Sequence, residues 1–125
     1  MNNCLFCDKK EYVFENDLAY AIFDGFPVSE GHMLIIPKRH VVDYFSLTDE
    51  ELLALKSLSN ICKEYLDKEY HPDGYNIGFN CGFFAGQSIM HCHMHIIPRY
   101  NGDVINPKGG IRHIIPGKGN YGYEK

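Results

Sequence analysis

The chain has 125 residues, 45% of them hydrophobic and 22% charged, and 12 Lys and Arg against 16 Asp and Glu give a formal net charge of −4. That composition fits one soluble globular domain with enough chain to bury its own core. The acidic balance argues against a general nucleic-acid or membrane-surface binder, which needs a basic face. A small anion held by a few local cations remains compatible with it.

No apolar run approaches the roughly 18 residues of a membrane span. The opening Met1-Asn2-Asn3-Cys4-Leu5-Phe6-Cys7-Asp8 has neither the basic start nor the apolar core of a signal peptide. The expectation is a cytoplasmic protein whose five cysteines stay reduced, so clustered cysteines point to metal before disulfide. Cys4 and Cys7 form a CxxC turn, which supplies half of a zinc site.

Tyr12-Val13-Phe14 and Ala19-Tyr20-Ala21-Ile22-Phe23 are rich in aromatic and aliphatic residues and read as a hairpin turning at Glu15-Asn16-Asp17. Asp24-Gly25 and Pro27 break the second strand. Residues 31–40 hold a short buried strand closed by Pro37, followed by Lys38, Arg39 and His40. Thr48-Asp49-Glu50-Glu51 has the form of a capping box, with Leu47 and Leu52 placed for a hydrophobic staple. Leu52, Leu55, Leu58, Ile61, Cys62 and Leu66 then recur at helical spacing to about Asp67, as a core or dimer-contact stripe.

Pro72-Asp73-Gly74 ends that helix, and Tyr75-Asn76-Ile77-Gly78-Phe79-Asn80 reads as a strand with Ile77 and Phe79 on one face. A Gly-containing connection leads through Gln87 and Ser88 to His91-Cys92-His93-Met94-His95-Ile96-Ile97-Pro98. A Gly/Pro-rich stretch with one more short apolar run, Gly109 to Pro116, closes the chain. Short strands around a single helix predict an α+β domain with an antiparallel sheet.

Alternation in a strand puts His91, His93 and His95 on one face, with Cys92, Met94 and Ile96 turned to the core. Three uses of that face compete. The imidazoles are hydrogen-bonded structural groups, or they bind a metal, or His93 is a nucleophile that its neighbours support. A single ion for all three is awkward, because His91 and His95 are about 13 Å apart along a flat strand. Imidazole is a competent covalent catalyst near neutral pH, and Gln87, Ser88 and His95 are close enough in sequence to supply donors to a phosphoryl group.

His91-Cys92-His93-Met94-His95-Ile96-Ile97 resembles the H-φ-H-φ-H-φ-φ signature of the histidine-triad (HIT) family. The resemblance extends to Ala85-Gly86-Gln87-Ser88, Asn80, Asp24, the 31–40 strand and the Gly109-Gly110-Ile111-Arg112 tail, and so covers nearly the whole chain. It implies a single HIT domain over residues 1–125, with an N-terminal zinc-turn segment at 1–10 and a C-terminal tail at 100–125. It also implies a sheet of about five strands with one long helix, and a two-fold homodimer.

The family further implies a nucleotide hydrolase or nucleotidyl transferase. By position, His93 would attack the α-phosphate of a dinucleoside polyphosphate and water would release the nucleoside monophosphate. His95 would contact the phosphate, Gln87 and Ser88 phosphate or leaving-group atoms, Asp24 the ribose hydroxyls, and Asn80 phosphate or ribose. Ile22 and Phe23 would lie near the base, and Arg99, Arg112 and Lys38 are candidates for further phosphates. His113 stands where an aromatic residue is expected. The resemblance gives Cys4, Cys7, His40 and His91 as the ligands of a structural zinc. Adenosine phosphoramidate hydrolysis by the same route, and nucleotide binding with little turnover, are the alternatives.

Overall fold

A computed structural model of the chain describes residues 4–120; residues 1–3 and 121–125, the extreme ends of the two terminal segments, lie outside it. Five strands form one sheet: β1 (Phe14–Glu15), β2 (Ala19–Phe23), β3 (Met33–Pro37), β4 (Gly74–Phe79) and β5 (Met94–Arg99). Their order is β1-β2-β3-β5-β4 with every neighbour antiparallel. One long helix, α1 (Asp49–Tyr70), covers one face. The expected fold class and strand number hold. No helix among the described residues is long and apolar enough to cross a membrane.

Alternation within each strand divides the sheet into two chemically different faces. Ala19, Ala21, Met33, Ile35, Met94 and Ile96 pack against Leu55, Leu58, Cys62 and Leu66 of α1. Truncating one of these buried leucines to Ala costs about 2–5 kcal/mol. Tyr20, Ile22, Leu34 and Ile36 project from the other face and gather around Phe6 of the N-terminal turn. Leu34 lies opposite His95 across β3 and β5, so the second face is the one that carries His95.

The first hairpin turns one residue later than the sequence reading placed it. Glu15 belongs to β1, and the Asn16 side chain accepts from the backbone N–H groups of Leu18 and Ala19. Such Asx bonding makes Asn a turn residue.

Thr48 and Glu51 form the expected capping box, Thr48 Oγ1 accepting from Glu51 N at 3.0 Å and Glu51 Oε1 from Thr48 N at 2.8 Å. The Glu51 carboxylate also receives Arg39 Nε at 2.8 Å and Nη2 at 2.9 Å, which ties the end of β3 to the start of α1. Chiefly through Arg39, the Glu51 carboxyl is held down at about 2.

The helix runs to Tyr70, three residues beyond the expected end near Asp67, because Tyr70 still packs on the core beside Phe23. It stops where His71 adopts a left-handed conformation just before Pro72. Leu52 and Ile61, which the spacing groups with the core stripe, are exposed. Gly31 is required at the entry to β3. Its φ is +88°, and a Cβ there would meet Leu66 at 3.0 Å.

Candidate active site and metal centre

β5 begins at Met94, so His95 alone of the three histidines is in a strand; His91 and His93 occupy the extended segment that leads into it. That segment is pinned by Cys92 N donating to Val41 O at 2.7 Å. The expected alternation holds nonetheless. Cys92, Met94 and Ile96 are buried, and the His93 and His95 rings adjoin at 5.2 Å between centroids.

Each imidazole has a different neighbourhood. His91 is fully buried, and its Nε2 lies 2.8 Å from the Pro37 carbonyl oxygen. A carbonyl only accepts, so Nε2 carries the proton and Nδ1 presents a lone pair. That lone pair faces Cys4 Sγ at 3.2 Å, Cys7 Sγ at 3.5 Å and His40 Nδ1 at 3.1 Å. Cys7 Sγ is also 3.2 Å from His40 Nδ1, and Cys7 N donates to Cys4 Sγ at 3.4 Å. All four ligand atoms lie within 4.8 Å of one another. Two thiols and two imidazoles converging from three chain segments fit a closed tetrahedral metal site of the Cys₂His₂ type. The second ring nitrogen of His91 is fixed by a backbone carbonyl, as is usual for metal-binding histidines.

His93 is buried, and its Nδ1 is 2.9 Å from the carbonyl oxygen of His91. The same donor rule places the proton on Nδ1 and leaves Nε2 with an available lone pair. Phe6, one of the two residues between the cysteines of the turn, lies edge-on to both His91 (5.9 Å) and His93 (5.1 Å). Its carbonyl accepts from Tyr20 Oη at 2.6 Å, which fastens the turn to β2.

His95 is held neutral, its pKa pushed down to about 4 by burial first and then by the neighbouring His93 and His32. Its Nδ1 is 3.0 Å from His32 Nε2, which is also 3.4 Å from Asp24 Oδ2. Asp24 Oδ1 accepts from Phe26 N at 2.8 Å in the loop after β2. His32, His95, Asn80, Asn76 and Ile97 line a cavity of about 350 Å³, bounded on one side by Ile111 and Ile114 of the tail.

Several expected contacts take other roles. Gln87 is buried with its amide committed to the backbone. Its Oε1 accepts from Gly82 N at 2.8 Å, and its Nε2 donates to Val42 O at 2.6 Å and Ile89 O at 3.1 Å. It therefore shapes the loop, with no donor to spare for a phosphate, while the adjacent Ser88 is exposed. Asn80 is exposed beside Gly86 at the cavity edge.

Ile22 does lie on the histidine face, but Phe23 points the opposite way, against Tyr65 and Tyr70 of α1. The Arg99 guanidinium is spent on both Asp103 oxygens, at 2.7 and 2.8 Å, and on Asn76 Oδ1 at 2.7 Å. Lys38 pairs with Glu15 at 2.7 Å. His113 donates to the Lys108 carbonyl at 2.9 Å, bracing the tail between Gly109 and Gly119. Arg112 lies exposed in the short 3₁₀ helix Gly110–Ile114.

Two residues of this site were not among the sequence candidates. Phe6 sat unmarked inside the CxxC turn. His32 immediately precedes β3, in even-numbered alternation with Leu34 and Ile36, and that alternation was the available signal; its pairing with His95 needed the strand order.

Among known proteins, the HIT domain family model matches residues 8–102. A 16.1 kDa HIT-like protein of Mycoplasma pneumoniae is 43% identical over 105 residues, covering 79% of this chain and 73% of that protein. A protein of Mycobacterium tuberculosis named AP-4-A phosphorylase is 34% identical over 107 residues, covering 83% of this chain but only 54% of its own length. The crystal structure of a Zn-bound histidine triad family protein from Mycobacterium smegmatis superposes with a TM-score of 0.74 at 32% identity, covering 83% of this chain and 80% of that one.

Proposed function

This chain belongs to the HIT family, and on that premise we propose that it is a nucleotide hydrolase or nucleotidyl transferase working through a covalent intermediate on His93. The observation that carries this reading is the 2.9 Å contact from His93 Nδ1 to the His91 carbonyl. It leaves Nε2 with its lone pair available and fixes the ring before substrate arrives.

In the first half-reaction Nε2 forms a bond to the α-phosphorus, and the bond from that phosphorus to the bridging oxygen breaks. The leaving phosphate or nucleotide carries away the electron pair. The Nδ1–H stays on the His91 carbonyl and eases the positive charge that the ring acquires. In the second half-reaction water bonds to phosphorus and the P–N bond breaks. A nucleoside monophosphate is released, the water proton passes to solvent, and the ring is restored.

His95 and Ser88 offer donors to the phosphoryl oxygens, and such donors act where charge develops. Asp24 takes the ribose hydroxyls, Ile22 borders the base and Asn80 stands at the phosphate end. Gln87 acts by holding the Ser88 loop. Since the Arg99, Lys38 and His113 side chains already have partners, the α-phosphate neighbourhood does most of the recognition. The name of the Mycobacterium tuberculosis relative favours a dinucleoside polyphosphate substrate over a phosphoramidate.

A structural zinc would be held by Cys4, Cys7, His40 and His91. Those four side chains would then tie the N-terminal turn to the segment carrying His93, and the ion's contribution would be structural. The zinc-bound Mycobacterium smegmatis relative supports a zinc in this family, and the ligand set rests on the four converging side chains. We also read the chain as one domain, acting in the cytoplasm, where the Cys4 and Cys7 thiols stay reduced. The two-fold homodimer is part of the same proposal.

The test is product analysis over a panel of dinucleoside polyphosphates and adenosine phosphoramidates, in water alone and with inorganic phosphate added. Release of nucleoside monophosphate from the polyphosphates supports the hydrolase. Nucleoside diphosphate appearing only with added phosphate would make the chain a phosphorylase. Preferential P–N cleavage would move it to the phosphoramidate class.

A further inference from the structure

The cavity beside His95 does not close at Ile97. Its lining shares Val28, Asn76, Ile97 and Gly110 with a second hollow of about 540 Å³, which runs on to Arg99 and Val104. Together the two form one trench that follows β5 away from His93.

Strand geometry sets its course. His95, Ile97 and Arg99 alternate onto one face of β5, and Gly78, Asn76 and Gly74 stand opposite them in register on β4. The two glycines keep the floor low. A Cβ at Gly74 would meet nothing within 4 Å, and one at Gly78 would meet only Ile111, at 4.0 Å. At roughly 3.3 Å per residue, His95 and Arg99 are about 13 Å apart. Val28, ahead of β3, forms one wall, and Val104, Pro107 and the tail form the other.

The lining is poorly suited to further phosphates. Arg99 is the one Lys or Arg among the described residues that border the trench, and both Asp103 oxygens meet its charge. Asn76 Oδ1 accepts from the same guanidinium at 2.7 Å. Phosphate recognition relies on cations that still have charge to offer. A planar, uncharged ring is better served. The three bonds run along the edges of the guanidinium and hold it rigid, which leaves its face as a stacking platform. Val28, Ile97, Val104 and Pro107 add the apolar surface from which small-molecule sites are mostly built.

We propose that this trench binds the leaving half of the substrate, taking its uncharged nucleoside with the base against the Arg99 guanidinium. The phosphates stay with His95 and the α-phosphate neighbourhood, and the trench reads what lies at their far end. A second nucleoside fills it; a chain that ends in phosphate, or a small amine, leaves it empty. The proposal rests on the nucleotide reading for what is bound at His95. It goes further in selecting substrates with a nucleoside at both ends, and in giving Arg99 a stacking role in place of a phosphate contact.

The experiment is calorimetric titration of the zinc-loaded wild type and Arg99→Lys with two ligands that resist cleavage at the α-phosphorus. One is α,β-methylene diadenosine tetraphosphate. The other is α,β-methylene adenosine tetraphosphate capped as its methyl ester, which has the same charge and no second nucleoside. The wild type should bind the dinucleotide roughly 10-fold or more tightly than the ester. Arg99→Lys keeps the charge facing Asp103 but loses the planar face, and should bring the two affinities close to parity.

Equal affinities in the wild type, or a preference for the ester, would overturn the proposal without needing the variant to fold. A preference that survives in folded Arg99→Lys would overturn the placement of the base. Preferential binding of the dinucleotide by a protein that hydrolyses no nucleotide would leave the trench standing and remove the hydrolase reading. Binding of neither ligand would remove both.

Discussion

The His91 carbonyl oxygen accepts the Nδ1–H of His93 at 2.9 Å, so the residue that faces Cys4, Cys7 and His40 through its ring also orients the proposed nucleophile through its backbone. The candidate metal centre and the candidate active site are two residues apart and share that one group. Phe6, between Cys4 and Cys7, touches both rings and makes the connection a packed one.

Removing the metal should therefore cost stability before it costs chemistry. Chelation, or Cys7→Ser, is expected to lower stability by about 3 kcal/mol or more, a fall in Tm of roughly 10 °C for a domain of this size. Calorimetry with metal analysis on the same sample checks it. Instant loss of turnover with an unchanged Tm would instead place the metal in the reaction.

The Glu51–Arg39 pair predicts an acid limb of stability. Glu51 has its carboxyl held down to about 2 in the fold and about 4.5 as its ordinary value. Its contribution is complete above pH 4.5 and is lost as pH falls from there through 2. Glu51→Gln keeps the cap geometry and removes the charge. It should cost about 1–3 kcal/mol at neutral pH, and the difference from wild type should vanish toward pH 2 in urea titrations.

His95 gives a second window. Because burial lowers its pKa from 6.5 to about 4, the neutral ring stabilises the fold above pH 6.5, and that stability drains away as pH drops from 6.5 through 4. The loss attributable to His95 is on the order of 2 kcal/mol. Stability curves of wild type and His95→Asn should converge over that interval; parallel curves would mean that His95 titrates normally.

β4 ends the sheet, and beside it exposed Leu52, Leu53 and Ile77 border an apolar hollow of about 680 Å³ between the sheet and α1. An open strand edge next to apolar surface is a ready pairing site. Ile77→Lys should convert a dimer to a monomer in sedimentation experiments while the fold survives in circular dichroism. A wild type that sediments as a monomer at micromolar concentration would remove the homodimer from the account.

Much of this was legible in the residues, for local reasons. Thr48 and Glu51 announce a helix start through their own side chains, and the strands at Ala19 and Met33 are written in branched and aromatic residues. Simple alternation puts Phe23 opposite Ile22, and its ring lies against Tyr65 and Tyr70 of α1. Gln87 was not readable in the same way. Its amide is consumed by Val42, 45 residues away, and by Gly82, contacts that exist only once the loops meet. Arg99 likewise reads as a phosphate ligand until Asp103 is seen to hold it on both oxygens. The strip His91 to His95 looked like one strand; the fold starts the strand at Met94 and gives each ring its own partner.

The central claim is that His93 becomes covalently nucleotidylated. The most direct measurement is acid-free quenching of the enzyme during turnover of an α-³²P-labelled dinucleoside polyphosphate, followed by mapping of the label. A nucleoside monophosphate on the peptide containing His93, absent from His93→Ala together with turnover, is the predicted result. Full activity in His93→Ala with no labelled peptide would contradict the account.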